Sequence, residues 1–253
     1  MNLEEKINKL AEYINQSDNI VFFGGAGVST ESGIPDFRSA SGIYNSGENA
    51  EYMLSHTCFA ENTEKFYEFY KSKMLYPGAK PNGAHIILAK LEEKGKLKAV
   101  ITQNIDNLHQ EAGSKNVIEL HGTVINNFCV NCRKKFDLSY IIESVAVPYC
   151  DNCGGIIKPD VVLYEEQLNQ ESVLSALGYI KNADMLIVGG TSLAVYPAAH
   201  YASCFFSENK NKNKKSAIIN KSETGYDEMF DISINEGLGM VLNNAYSRLY
   251  GDM

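Results

Sequence analysis

The chain has 253 residues, 44% of them hydrophobic, with a net charge of −8 and a pI near 5.2. That is enough apolar material for one substantial core, or for a large core with a small satellite. The acidic balance argues against a protein that coats nucleic acid; it is ordinary for a soluble cytoplasmic protein and would suit a basic peptide partner.

The first segment, Met1 to Gln16, is charged and amphipathic. Leu3, Ile7, Leu10, Ala11 and Ile14 recur there at helical spacing. It lacks the apolar core of a signal peptide, and no later run is long enough to cross a membrane. Asn19 to Phe23 reads as a buried strand, and the glycine-rich stretch Gly24 to Ser39 follows it. Its glycines allow a sharp turn and close approach to a ligand. A helix starting near Val28 would aim free N–H groups and a dipole at the same point, which suits a phosphate. Thr30 stands where the common dehydrogenase fingerprint has its third glycine. Alone, such a turn is also the strand-to-helix corner of any α/β protein.

Ser39 to Ser55 is rich in Gly, Ser, Asn and Ala and reads as a long loop, of the kind that often carries function. Asn62 to Met74 is helical in pattern, with Phe66, Phe69 and Tyr70 on one face, and 76–81 is a connector. Asn82 to Lys94 is a second clear helix, stopped by Gly95. Leu97 to Thr102 and Val117 to Leu120 are strands, and Phe128 to Gly155 is a cysteine-bearing insert. Val161 to Tyr164 is strand-like, Gln170 to Lys181 helical and Asp184 to Gly189 a strand. Ala198 to Phe206 is a helix, Glu208 to Lys215 a solvated Lys/Asn loop, Ser216 to Asn220 a strand and Leu238 to Tyr250 a last helix. Strands alternating with helices indicate a parallel, doubly wound sheet.

Cys129-x2-Cys132 and Cys150-x2-Cys153 are separated by seventeen residues. Two such pairs on tight turns can close a tetrahedron of thiolates around one zinc. Four ligands leave no open position, so the metal would be structural. Cys58 and Cys204 read as ordinary core residues.

Thr102 to His109 follows a strand and so lies at the carboxyl end of the sheet, where ligands bind in such folds. Asn104 and Asp106 could read a carboxamide and a ribose hydroxyl, or could simply cap a helix. His121-Gly122 also ends a strand. Its imidazole could act as a general base near pH 7, or be an ordinary turn histidine. Gly189 to Ser192 and Asn220 end further strands, where hydroxyls and an amide suit a ribose and an adenine, or plain turns. His56, His85, His109 and His200 carry no functional signal.

Taken in order, Gly25-Ala26-Gly27-Val28-Ser29, Pro35-Asp36-Phe37-Arg38, Thr102-Gln103-Asn104-Ile105-Asp106, His121-Gly122, the two cysteine pairs and Gly190-Thr191-Ser192-Leu193 resemble the sirtuins of bacterial type. Sirtuins are NAD-dependent protein-lysine deacylases. The resemblance implies a Rossmann-like NAD-binding domain over 1–38, 80–122 and 160–253. A small domain would combine a cofactor loop and helices over 39–79 with a zinc ribbon over 123–159. It implies that Ala26, Thr30, Phe37 and Arg38 hold NAD, with Phe37 over the nicotinamide pocket. Gln103, Asn104, Ile105 and Asp106 would line the ribose and carboxamide pocket. Thr191, Ser192 and Asn220 would take the adenosine half, with Gly237 from a loosely matching C-terminal stretch. His121 matches the catalytic histidine and contacts the same ribose. Val161, Val162, Leu163 and Tyr164 on one side, and the segment holding Val195 on the other, would clamp the peptide as an added strand. Tyr70 would line the acyl pocket.

The chain departs from the pattern twice. Tyr164-Glu165-Glu166 stands where many members have Phe-Gly-Glu. Tyr70-Lys71-Ser72-Lys73 stands where members that prefer acidic acyl groups have Tyr-x-x-Arg, which implies acetyl-lysine over succinyl-lysine. The implied protein is a cytoplasmic, monomeric NAD-consuming deacetylase holding one structural zinc, with an acetylated-lysine protein or peptide as partner and no nucleic acid or membrane. Protein ADP-ribosyl transfer and a non-catalytic NAD sensor are the competing readings.

Overall fold

The computed structural model describes residues 1–39, 42–45, 49–193, 198–207 and 214–251. Helix α1 (Leu3–Gln16) leads into strand β1 (Ile20–Gly24), followed by two 3₁₀ turns, Ala26–Val28 and Thr30–Ser32. Helices α2 (Ala50–Met53), α3 (His56–Glu61), α4 (Thr63–Lys73) and α5 (Gly83–Glu93) come next. Then follow β2 (Leu97–Thr102), α6 (Leu108–Glu111), β3 (Val117–Glu119), β4 (Gly122–Cys129), β5 (Lys135–Phe136), α7 (Leu138–Glu143) and β6 (Ile157–Val161). The chain continues through α8 (Gln170–Asn182), β7 (Met185–Gly189), α9 (Ala198–Ser207), β8 (Lys215–Ile219), β9 (Ile232–Ile234) and α10 (Leu238–Tyr250).

The main sheet has the order β3-β2-β1-β7-β8-β9, with every recorded pairing parallel. Its strands are apolar at successive positions because both faces are covered. Ile20, Phe22, Met185 and Ile187 pack on one face with Ile7, Leu10 and Ile14 of α1, Leu88 of α5 and Val241 of α10. Val21, Phe23, Leu186 and Val188 pack on the other with Ala176 and Ile180 of α8 and Phe205 of α9. Leu3 fits the helical spacing of α1 but stays exposed, since α1 starts with it.

A second, antiparallel sheet has the order β5-β4-β6. Its residues Cys129, Phe136 and Ile157 share one apolar cluster with Phe59 of α3 and Phe66, Tyr67, Phe69 and Tyr70 of α4. Two distant chain segments thus form one smaller body. In the segment expected as one long loop from Ser39 to Ser55, the described residues form a 3₁₀ turn, Ile43–Asn45, and helix α2. Most of the Lys/Asn run after Glu208 lies outside the described residues. Among the described residues, no helix is long and apolar enough to cross a membrane.

His85 and His109 are buried under the main sheet, their ring centroids 4.7 Å apart at an edge-to-face angle. His85 Nδ1 accepts from Asn82 N at 3.2 Å. His85 Nε2 and both His109 nitrogens have no partner among the described residues. Burial drives His85 down to about 4, against an opposing pull from Asp106, and burial with the neighbouring His85 drives His109 down to about 3. The folded state therefore keeps both rings neutral, whereas an unfolded chain protonates them near pH 6.5. The stabilisation is complete above that value and is lost as pH falls from 6.5 toward 4. Between pH 7 and pH 5 each ring is expected to cost about 2 kcal/mol of stability. Denaturant midpoints at the two pH values check this, and His109→Phe should roughly halve the difference, leaving the part due to His85. A wild-type midpoint equal at both would rule it out.

Candidate active site

The sheet order reverses at β1. The chain runs from β1 outward to β2 and β3, then crosses to β7 on the other side. The loops leaving β1 and β7 part there, and such a crevice is where open α/β sheets bind ligands. Gly27 N donates to Gly190 O at 2.8 Å. A Cβ on Gly27 would lie 2.8 Å from the Gly190 Cα, and one on Gly190, whose φ is +62°, would lie 2.3 Å from Val28 N. Backbone meets backbone, so both positions need glycine.

The α-helix expected near Val28 does not form. Gly33, at φ +85°, ends the second 3₁₀ turn instead. The hydroxyls of this stretch take other partners: Ser29 and Ser32 bond side chains, and Thr30 bonds the backbone. Thr30 Oγ1, for example, donates to Gly27 O at 3.0 Å. An anion here would meet individual turn N–H groups rather than a long aligned dipole.

The end of β2 meets this turn. Asn104 is buried and donates from Nδ2 to Ser29 Oγ at 3.0 Å. Ser29 Oγ in turn donates to Asp106 Oδ2 at 2.6 Å. Asp106 Oδ1 accepts from Leu108 N at 3.0 Å. Asp106 thus splits its carboxylate, with Oδ1 in an Asx-type turn at the start of α6 and Oδ2 on the Ser29 hydroxyl.

His121 lies in the turn between β3 and β4. Its Nδ1 is 2.9 Å from Gln103 O. A carbonyl only accepts, so Nδ1 carries the proton and Nε2 keeps its lone pair. Burial holds the ring below the usual histidine range, against the opposing pull of the Gln103 hydrogen bond. Gly122, at φ +76°, follows, and a Cβ there would lie 2.0 Å from Asp160 O. This close approach brings in the next segment, and Val162 N donates to His121 O at 2.9 Å.

One cavity of about 870 Å³ joins these parts. Ala26, Ser29, Phe37, Gln103, Asn104, Ile105, Asp106 and His121 line it, and so do Tyr70, Val161, Val162, Leu163 and Tyr164. Tyr70 is fully buried, and its hydroxyl has no partner among the described residues. Lys73 lines the same cavity. Lys71 turns away and donates to Ser144 O at 2.6 Å and to Ala146 O at 2.7 Å. Tyr164 N donates to Leu54 O and Tyr164 O accepts from His56 N, each at 3.0 Å, so the backbone of this residue is already paired.

The other described candidates stand outside that lining. Thr191 Oγ1 donates to Gln103 Oε1 at 3.1 Å, and Thr191 N donates to Asn220 Oδ1 at 2.9 Å. Both residues thus join the site through Gln103. Thr30 lies in the glycine turn, Ser192 is exposed, and the Arg38 guanidinium carbon lies 5.8 Å from the Tyr44 ring centroid. Gly237 caps α10 beside Glu31, and a Cβ on it would lie 3.0 Å from Glu31 Oε1. Val195 lies outside the described residues.

The four cysteines form a separate cluster. Their sulfurs lie within 4.8 Å of one another, with Cys129–Cys153 at 3.4 Å and Cys132–Cys150 at 3.6 Å. Tetrahedral zinc with Zn–S bonds of about 2.3 Å separates its sulfurs by about 3.8 Å, so this set fits the ion.

Residues 25–197 match the model of the Sir2 family. The chain belongs to the Sir2 family. It is 56% identical over 247 residues to a Clostridium perfringens NAD-dependent protein deacetylase, covering 96% of this chain and 99% of that one. A Clostridium tetani protein of the same name is 57% identical over 245 residues, covering 95% and 97%. Among solved structures, a Sir2 variant with deacetylated p53 peptide and 3′-O-acetyl-ADP-ribose superposes with a TM-score of 0.88 at 40% identity, covering 100% of both chains. A complex of Sir2 with p53 peptide and NAD superposes at 0.85 and 39% identity, covering 98% of both.

In this Sir2-family chain, reading the sequence missed Ser29 as a site residue. Its hydroxyl joins Asn104 to Asp106, residues 75 and 77 positions away. The only local signal was a small hydroxyl inside the glycine turn.

Proposed function

We propose that this Sir2-family protein is an NAD-dependent protein-lysine deacetylase. The observation that carries the reading is His121, with a free Nε2 lone pair, in one cavity with the Asn104–Ser29–Asp106 chain. The names and bound molecules of the relatives point the same way. Asn104 and Asp106 would position the nicotinamide ribose and carboxamide. Phe37 would cover that end and exclude water, which favours a cationic sugar. The acetyl-lysine oxygen attacks the sugar carbon as nicotinamide leaves. His121 Nε2 then takes the proton of a ribose hydroxyl, whose oxygen attacks the imidate. With one water consumed, lysine and O-acetyl-ADP-ribose result.

Ala26, Thr30 and Arg38 would hold the phosphate side, and Thr191, Ser192 and Asn220 the adenosine half, with Gly237 nearby. The peptide would lie along 161–166 and pair with backbone groups other than the amides of Val162, Leu163 and Tyr164 and the carbonyls of Leu163 and Tyr164, which are taken. Cys129, Cys132, Cys150 and Cys153 would hold one structural zinc. We assign 1–38, 80–122 and 160–253 to the dinucleotide domain, and 39–79 with 123–159 to the small one. A cytoplasmic monomer acting on acetylated proteins, without nucleic acid or membrane, completes the proposal.

Mass spectrometry of an acetyl-peptide incubated with NAD tests the reaction. O-acetyl-ADP-ribose and free lysine are expected. ADP-ribose left on the peptide would instead mark a transferase, and no product a sensor.

Acyl preference is a separate expectation. Tyr70 and Lys73 both line the cavity, but an ammonium lacks the forked geometry that holds a carboxylate in two places. Acetyl should be removed faster than succinyl from peptides at equal concentration, and the reverse order would contradict this.

A further inference from the structure

The segment after Pro35 closes on itself. Ile43 N donates to Asp36 O at 2.9 Å and Tyr44 N to Phe37 O at 3.0 Å. Asp36 Oδ1 accepts from Arg38 N at 3.1 Å and from Ser39 N at 2.8 Å. The Phe37 and Tyr44 rings stand 5.6 Å apart. Phe37, which lines the cavity and packs against the smaller body's core, is therefore also positioned through Tyr44.

What holds Tyr44 comes from the other wall. Its hydroxyl is hydrogen-bonded to the Tyr164 hydroxyl, 120 positions along the chain. Tyr164 is anchored by its backbone to Leu54 and His56. Glu165 follows at φ +76°, a left-handed conformation that disfavours any side chain. Its carboxylate nevertheless finds a fixed place, with Oε2 accepting from Thr57 N at 2.9 Å and from Thr57 Oγ1 at 2.7 Å. Glu166 adds His56 Nδ1 at 3.0 Å and Lys158 Nζ at 3.1 Å. The 163–166 segment is thus a firm post, and the Tyr164 hydroxyl is its one direct side-chain link to the Phe37 turn among these contacts.

We infer that the Tyr44–Tyr164 pair is a latch that couples the Phe37 turn to the acyl-lysine segment, with both tyrosines as positioning residues that act through Phe37. This rests on the function proposed above. A peptide seated along 161–166 and a dinucleotide seated under Phe37 each favour the latched arrangement, so each raises the affinity of the other by the same factor.

Calorimetric titration of NAD into wild type, Tyr44→Phe, Tyr164→Phe and the double variant, with and without acetyl-lysine peptide, tests the latch. Each single variant should weaken NAD binding about fivefold, the worth of one ordinary hydrogen bond. The double variant should weaken it by the same fivefold, because the two hydroxyls act as one unit. The gain in NAD affinity that the peptide gives wild type should shrink in all three variants, a change that loss of general stability would not produce. Should Tyr164→Phe fold poorly, Tyr44→Phe approaches the same bond from the other side. A twenty-five-fold loss in the double variant, or wild-type NAD affinity and coupling in the single variants, overturns the latch alone. Wild-type protein that does not bind NAD overturns the proposed function and the latch with it.

Discussion

His121→Ala is expected to lower formation of O-acetyl-ADP-ribose by two to four orders of magnitude, the usual contribution of a positioned base. Exchange of labelled nicotinamide into NAD, with acetyl-peptide present, should persist. Departure of nicotinamide needs only the acyl oxygen and the shielded sugar, whereas the later attack needs the ribose hydroxyl to lose its proton. Gln103 O fixes the Nδ1–H tautomer and leaves Nε2 as the base. Because burial lowers the His121 pKa, the ring stays neutral further into acid than a free histidine does. The acidic limb of kcat/KM should therefore fall below pH 6.5. An alanine variant with wild-type product formation, or exchange lost in step with product, would remove this assignment.

Removing the metal should cost more stability than any single side chain. Structural zinc in small domains contributes apparent free energies of about 10–16 kcal/mol at neutral pH. Here the ligands are not an appendage. Cys129 and Cys150 lie in the apolar cluster that also holds Ile141, Ile157, Tyr67 and Tyr70. One zinc per chain is expected by elemental analysis. Cys132→Ser or Cys153→Ser should lose the metal and lower the melting temperature. Deacetylation should also fall, although no cysteine lines the cavity. The route is Tyr70, which belongs to both the cluster and the cavity wall. Metal-free protein with unchanged melting and activity would contradict a structural role.

The strands 20–24, 97–102 and 185–189 were legible because both faces of a parallel sheet are buried and their residues are mostly apolar, with Lys98 the one exposed position. The cysteine pairs were legible because tetrahedral ligation dictates their spacing. Strand β9 was missed, since three residues, Ile232 to Ile234, are too few to show a period. Strand β4 was missed because Asn126 and Asn127 interrupt its apolar pattern. Helix α3 hid in a stretch of mixed polarity whose start is marked only by the Ser55 hydroxyl accepting from Cys58 N. At the site, Asn104, Asp106 and His121 could be placed at strand ends from order alone. Their union through Ser29 and Gln103 O depends on which strands are neighbours, and no local pattern carries that.

The shared core of the smaller body bears on how the chain is made. The Tyr67 hydroxyl bonds Ile157 O, and 90 positions separate the two residues. At roughly 5–20 residues per second, the aromatic face of α4 waits about 5–18 seconds on the ribosome before its partner exists. During that interval Phe66, Tyr67, Phe69 and Tyr70 have only the neighbouring helices to cover them. Newly made chains should therefore be most prone to aggregate, and most dependent on chaperones, between emergence of α4 and capture of the metal by the second cysteine pair.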